Sequence, residues 1–538
     1  MYQSKKQLKP QRRSLCMSIE NILTAEALDK NAHAKPKPLR KFGVYCAFAS
    51  CCSCSTLAPH AEVHWQERSQ LTTQTPAPES PPPTMINNHA DNSAKLSASK
   101  AVNHSSPGSP KTELIVKDAQ GQLTKKASTT LLKKRWQGSY QDLRTLAILE
   151  QTVTGNPLID GNQITLLHDG PQTMAAMITA IKAAKKHIHL ETYIFDQDPL
   201  GKAFAKLLME RQAAGVQVRI IYDSVGTLGT PQAFFDELSA AGIELLAFHP
   251  FNPVVALSEA VPWSPNQRDH RKLLVVDGQI AFTGGINISN SYATSSLFRS
   301  SHRTNPSVGW RDTHIQIIGP AVAAVQWVFL DTWLEEKNLR FSELPVADFF
   351  PTLQQSGTHL VRVLASGPQD NQDIYQAYLL ALNQAQHRIH ITCAYFVPDK
   401  AILAALGAAV KRGVEVKLIL PGVNDNDLVS QASKSYFTEM LEQGVQLFQL
   451  KVAVLHAKTA VIDGQWSTVG STNIDTRSFL HNREINVVVY STAFGQEMES
   501  AFSEDLRSST PISEESWSQR PVLDRVKQWF ARRLAYWL

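Results

Sequence analysis

The sequence predicts an α/β protein made of two homologous halves packed around one shared site. Three observations carry this. Helical and strand patterns alternate through the body of the chain, and the alternation runs twice in the same order. Each run closes on a matching stretch, "HRKLLVVDGQIAFTGGIN" from His270 to Asn287 and "HAKTAVIDGQWSTVGSTN" from His456 to Asn473.

Ordered sequence is expected from near residue 130, where "TTLLKKRWQGSYQDLRTLAILEQ" has helical spacing. "PQTMAAMITAIKAAKK" reads as a helix, "HIHLETYIF" as a strand, and "PLGKAFAKLLMERQAAG" as a helix closed by Gly215. "VQVRIIYD", "PQAFFDELSAAG" and "IELLAF" continue as strand, helix and strand. The second half repeats the order with "IYQAYLLALNQAQ", "RIHITCAYF", "DKAILAALGAAVKRG", "VEVKLIL", "YFTEMLEQG" and "VQLFQL". Alternation of this kind implies parallel strands with helices on the sheet faces. A repeat of about 180 residues is too long for a solenoid and denotes duplicated halves.

With 538 residues, 43% hydrophobic and 19% charged, the chain can bury a large core and is neither disordered nor a coiled coil. The net charge of +5 fits an anionic partner without demanding one. Five of the six cysteines (Cys16, Cys46, Cys51, Cys52, Cys54) lie near the start and only Cys393 lies in the body, which therefore has no disulfide staple of its own. There is no run of eighteen strongly apolar residues to span a bilayer.

Five segments follow. Residues 1–58 form a basic leader; Lys35, Lys37, Arg40 and Lys41 precede a short apolar stretch and "FASC". That order resembles a lipoprotein signal with Cys51 lipidated, the alternative being a Cys-rich tail. Residues 59–128 are a Pro/Ser-rich disordered linker. Residues 129–345 hold the first half with its preceding helices, 346–510 the second half, and 511–538 a basic amphipathic helix. In that last segment Leu523, Val526, Trp529, Phe530, Leu534 and Trp537 share a face, with Arg525, Lys527, Arg532 and Arg533 elsewhere. The helix suits an anionic membrane surface, or else docks on the protein's own core. The Lys133-Lys134-Arg135-Trp136 cluster reads as a solvated face.

Each repeated stretch reads as a hairpin turning at Asp-Gly. Side chains alternate along a strand, so His270 and Lys272 point the same way, as do His456 and Lys458. Asp277 and Asp463 belong to the same constellation, but their odd offset puts them on the other face, pinning the turn. Asn287 and Asn473 follow glycine-containing turns, where a side-chain amide can meet an anion. Two His-Lys-Asn sets suit exchange at a phosphodiester. One neutral histidine attacks phosphorus, a protonated one donates to the leaving oxygen, and lysine and asparagine stabilise the phosphoryl charge. Each half supplies one histidine, which puts the site between them.

These residues form HxKxxxxDxxxxxxG(G/S)xN twice, the HKD motif, and the chain resembles the phospholipase D superfamily. From about residue 150 to 500 it is similar to bacterial cardiolipin synthases in "ETYIFDQDPLG", "DHRKLLVVDG", "GWRDTHIQIIGPAV", "AYFVPD" and "GSTNIDTRSF". The resemblance implies two phospholipase D-like α/β/α halves and no metal or cofactor. It implies a histidine nucleophile and a histidine general acid, His270 and His456, in an order left open. It also implies that a downstream acid in each half orients the histidine, here Asp312 and Glu484; a rim salt bridge is the alternative for that pair. "TCAYF", Gly284-Gly285, His481 and Arg483 depart from the usual pattern.

The resemblance points to a phosphatidyltransferase that converts two phosphatidylglycerol molecules to cardiolipin and glycerol through a phosphohistidine. Hydrolysis to phosphatidic acid is the alternative, followed by a nuclease or an inactive lipid-binding scaffold. The expected partners are anionic phospholipid and a membrane surface, without nucleic acid. The expected location is bacterial and membrane-associated, peripheral or lipid-anchored, at the inner membrane.

Overall fold

A computed structural model describes residues 113–250, 264, 266–293, 309–344, 346–368 and 372–537. The leader, with Cys51, and the linker as far as residue 112 lie outside the described residues.

The two halves repeat the same order of seven strands. In the first half the order is Glu244–Phe248, Gln217–Asp223, His187–Thr192, Leu273–Val276, Ile280–Gly284, His314–Ile318 and Leu158–Leu167. In the second it is Gln446–Leu455, Glu415–Val423, Arg388–Cys393, Lys458–Ile462, Trp466–Gly470, Glu484–Tyr490 and His359–Ser366. The first three strands of each are parallel, as the alternation predicts, and the rest are antiparallel. The hairpins are the reason: Asp277-Gly278 and Asp463-Gly464 take left-handed φ of 54°, 64°, 54° and 65°, a tight turn that sends the chain straight back.

The last strands of the two sheets pair antiparallel, His359 opposite Asn162 and Val361 opposite Ile159, so the sheets join edge to edge. One hydrophobic core crosses that seam, with Ile164, Val275, Ile317 and Phe329 of the first half packed among Val361, Val461, Val487 and Met498 of the second.

Four expectations are corrected. Residues 113–128 are not linker: Val116–Asp118 pairs in parallel with Leu158–Ile159, Val116 is fully buried, and Thr124 caps the helix Lys125–Arg135. That helix and Tyr140–Thr154, assigned to the first half, pack on the second. Leu132, Trp136, Leu146 and Ile148 share a core with Leu360, Ala377, Trp466 and Tyr490. Glu150, fully buried at their centre, accepts from Arg362 Nη1 at 2.6 Å, from Trp466 Nε1 at 2.8 Å and from the Tyr490 hydroxyl. Nor is the basic cluster simply solvated, since Trp136 is buried and Arg135 pairs with Asp160 at 3.1 Å.

The second half runs past residue 510, because Ser509–Ile512 pairs with Gln446–Leu455. Beyond it, helix Val522–Arg533 docks on helix Asp427–Lys434. The buried side is Gln528 and Ala531, and Arg532 lies over the Tyr436 ring at 4.2 Å. The opposite apolar side stays open, with Leu523 64%, Val526 56%, Trp529 59% and Phe530 60% exposed. Docking on the protein's own core therefore accounts for one face of this helix and leaves the other exposed.

Candidate active site

Backbone pairing across the seam sets the histidines. His270 N–H donates to the Arg483 carbonyl at 3.0 Å, and Arg483 N–H to the Arg268 carbonyl at 2.9 Å. In the second half Leu455 pairs with Arg311, and His456 N–H donates to the Arg311 carbonyl at 2.8 Å. Each histidine is thus laid against the other half's Arg-acid dipeptide.

The side chains follow the backbone. His270 Nδ1 lies 3.0 and 3.1 Å from the two carboxylate oxygens of Glu484, and His456 Nδ1 lies 2.7 Å from Asp312 Oδ2. Asp312 and Glu484 meet the histidines, but crosswise, so each half's acid lies on its partner's imidazole and not on its own. A carboxylate only accepts, so it selects the tautomer with the proton on Nδ1 and leaves the Nε2 lone pair to react.

Lys272 Nζ donates back to the His270 carbonyl at 2.5 Å and sits 5.2 Å from the Tyr193 ring centre; Lys458 Nζ donates to the His456 carbonyl. All four side chains are largely buried. Burial, then the Lys272 charge, holds His270 well below the ordinary imidazole value, and Lys458 and His456 of the other motif also act on it. His456 is lowered by burial and Lys458 against the opposing pull of Asp312. Burial pushes Lys272 down to about 7, lowers Lys458, and pushes Glu484 up to about 7. The common cause is burial, which favours neutral forms; an anion placed beside the lysines would restore their charge.

Residues 177–297 and 378–506 match the family described as cardiolipin synthase, phospholipase D-like domain. The cardiolipin synthase of Geobacillus thermodenitrificans is 35% identical over 398 residues, 73% of this chain and 76% of that protein. Cardiolipin synthase 1 of Bacillus cereus is 32% identical over 391 residues, covering 72% and 74%. The chain belongs to the cardiolipin synthase family. In fold it also resembles a phosphatidylserine synthase from Haemophilus influenzae, with TM-score 0.56 and 15% identity, covering 73% of this chain and 97% of that one.

In this member of the family, Asp277 and Asp463 stand apart from the imidazoles, at the turn end of each hairpin. The Asp277 carboxylate accepts from the N–H groups of Lys185, Lys186 and His187 at 2.8, 2.7 and 3.0 Å. Asp463 does the same for Gln386, His387 and Arg388 at 2.8 Å each. Their bonds hold the hairpin to the start of the neighbouring strand and touch no reacting group. Asn287 is also occupied by protein: Oδ1 accepts from Ile194 N–H at 3.1 Å and Nδ2 donates to Tyr292 Oη at 2.9 Å. Asn473 is buried, and its Oδ1 finds no hydrogen-bond partner.

Sequence reasoning missed several residues that touch the histidine-acid pairs, Tyr292 and Ser471 among them. Tyr292 Oη lies 3.3 Å from His456 Nδ1, and Ser471 Oγ donates to Glu484 Oε2 at 2.5 Å. The Gly-Gly against Gly-Ser difference also finds its reason. A Cβ on Gly285 would lie 2.1 Å from Asp312 Oδ1, whereas Ser471, its counterpart, bonds the longer glutamate. The departure at Cys393 is structural: its buried thiol donates to the Tyr395 carbonyl at 3.1 Å.

Proposed function

We propose that this chain makes cardiolipin by phosphatidyl transfer between two phosphatidylglycerol molecules. A cardiolipin synthase-like activity follows from the family; the substrate and the residue roles are our reading. The observation that carries it is the pair of buried histidines, each with Nδ1 on a carboxylate of the opposite half and a lysine of its own motif beside it.

In the first step, Nε2 of one neutral histidine attacks phosphorus and the bond to the glycerol headgroup breaks. The second histidine, protonated, donates its Nε2 proton to the departing oxygen. Now neutral, it takes the proton from a primary hydroxyl of the second phosphatidylglycerol. That oxygen attacks the phosphohistidine, the phosphorus–nitrogen bond breaks, and both histidines return to their starting states. Lys272 and Lys458 balance the charge on the phosphoryl oxygens.

Substrate comes from a lipid surface. The open face of Val522–Arg533, with Trp529 and Phe530 beside Arg525, Lys527 and Arg533, suits the headgroup layer of an anionic bilayer. The protein then works as a peripheral or lipid-anchored enzyme of the bacterial inner membrane. Among the described residues no helix is long and apolar enough to cross a membrane.

The test incubates purified protein with phosphatidylglycerol vesicles and identifies products by mass spectrometry, beside His270→Ala and His456→Ala. Cardiolipin and glycerol are expected from the wild type and nothing from either variant. Phosphatidic acid alone would instead establish hydrolysis.

A further inference from the structure

The residue before each orienting acid is arginine, Arg311 before Asp312 and Arg483 before Glu484. Both reach across the seam. Arg311, 2% exposed, makes a bidentate pair with Asp505 on helix Thr492–Arg507 of the second half, at 2.7 and 2.8 Å. Its Nη1 also binds the Asp312 carbonyl at 2.6 Å and Thr313 Oγ1 at 2.7 Å. Arg483 makes the corresponding reach with one bond, Nη2 donating to Glu335 at 2.5 Å with Glu336 at 3.8 Å, both on helix Val322–Lys337 of the first half.

The consequence for the site is direct. Each arginine offers its carbonyl to a histidine N–H, while the next residue's carboxylate takes that histidine's Nδ1. A two-residue unit therefore grips each imidazole at two points, and its third attachment is the guanidinium anchored to the opposite half's long helix. Two such units related by the duplication are hard to explain as separate surface pairs. A planar, always-charged guanidinium is the group that can hold such a bidentate geometry in a buried place.

We propose that Arg311 and Arg483 are positioning residues, each fixing one histidine's carboxylate by tying its strand to the long helix of the opposite half. This rests on the two-histidine reading given above. Displacing the carboxylate misplaces the imidazole and frees its tautomer, without touching the lipid.

The test compares Arg311→Met and Arg483→Met with wild type in kcat, KM and the pH profile of kcat/KM, with thermal melts to confirm folding. Expected is a fall in kcat of about 100-fold, the size of an ångström-scale misplacement, with KM nearly unchanged. The two variants should move different limbs of the profile, since each arginine serves a different histidine. The groups facing His456 (Lys458, Asp312, Asp425, Tyr292) and those facing His270 (Lys272, Lys458, His456, Glu484, Arg477) remain in place. The sign discriminates. Losing a nearby cation alone raises an imidazole's pKa, whereas losing its carboxylate contact lowers it, so each limb should move to lower pH. Arg311→Lys should recover only part of kcat, because an ammonium keeps the charge but not the fork.

Should the buried substitutions fail to fold, Glu335→Gln/Glu336→Gln releases Arg483 from a helix surface where Glu335 is half exposed. It is expected to lower kcat in the same way. Folded variants with unchanged kcat, or limbs displaced upward, would overturn the proposal while leaving the two-histidine reading intact. Activity surviving His270→Ala would overturn that reading itself.

Discussion

Glu484 and His270 lie 214 residues apart in the chain, yet the glutamate carboxylate brackets His270 Nδ1 at 3.0 and 3.1 Å. Three other bonds hold the acid in place, from Ser471 Oγ at 2.5 Å, from Asn482 Nδ2 at 3.2 Å, and through its own carbonyl from Arg271 Nε at 3.1 Å. In Glu484→Gln an amide keeps the shape but no longer selects the tautomer. The expected outcome is a loss of kcat of roughly 10³–10⁴-fold with an unchanged melting temperature, read from vesicle assays and calorimetry.

Lys272 gives the pH dependence a definite direction. Burial brings its ammonium down to about 7, so in the free enzyme its charge is present below that pH and lost above it. The value of kcat/KM, which reports free enzyme, should fall as pH rises through about 7. An arginine there stays charged, so in Lys272→Arg the fall through about 7 should be lost, leaving the limb set by the protonated histidine, whatever the absolute rate.

Gly285 leaves room for Asp312. An added Cβ would stand 2.1 Å from Oδ1 and 2.6 Å from Oδ2. Gly285→Ala should displace the acid of His456 and cost about 100-fold in kcat or more. Ser471→Gly, at the matching place, removes one bond to Glu484 and should cost far less. Kinetics of the two variants side by side would settle this.

Glu150 tests how the chain before the first half is held. It balances the buried Arg362 in the core of the second half. Glu150→Ala leaves that guanidinium buried without its charge partner, so the loss should be about 3–5 kcal/mol in urea unfolding. Folded protein at low temperature should keep its activity.

Much of this molecule was legible in the sequence, and what escaped has physical reasons. Apolar spacing and glycine stops located the repeated helices and strands, and the Asp-Gly turns announced the hairpins. The antiparallel remainder of each sheet follows from those turns, although alternation alone suggested a parallel one. The crossing of Asp312 to His456 over 144 residues was not readable, because a duplicated sequence offers each acid two equivalent histidines. Only the strand pairings at Arg311 and Arg483 choose between them. Strand Val116–Asp118 has a burial pattern too short for periodicity, and the helices before the first half carry no mark of which core they join. Asn287 was expected to face anion; Ile194 and Tyr292 occupy it, and those partners cannot be found by spacing.

The seam between Leu158–Leu167 and His359–Ser366 has a consequence for inheritance. A half cut free would expose an unpaired strand edge and one side of a shared core, so neither half can be traded as a module. Mutational drift is bound in the same way. A change around His270 has to be answered at residues 483 and 484, and one around His456 at 311 and 312. Ancestry in this chain runs along each half, while compensation runs between them.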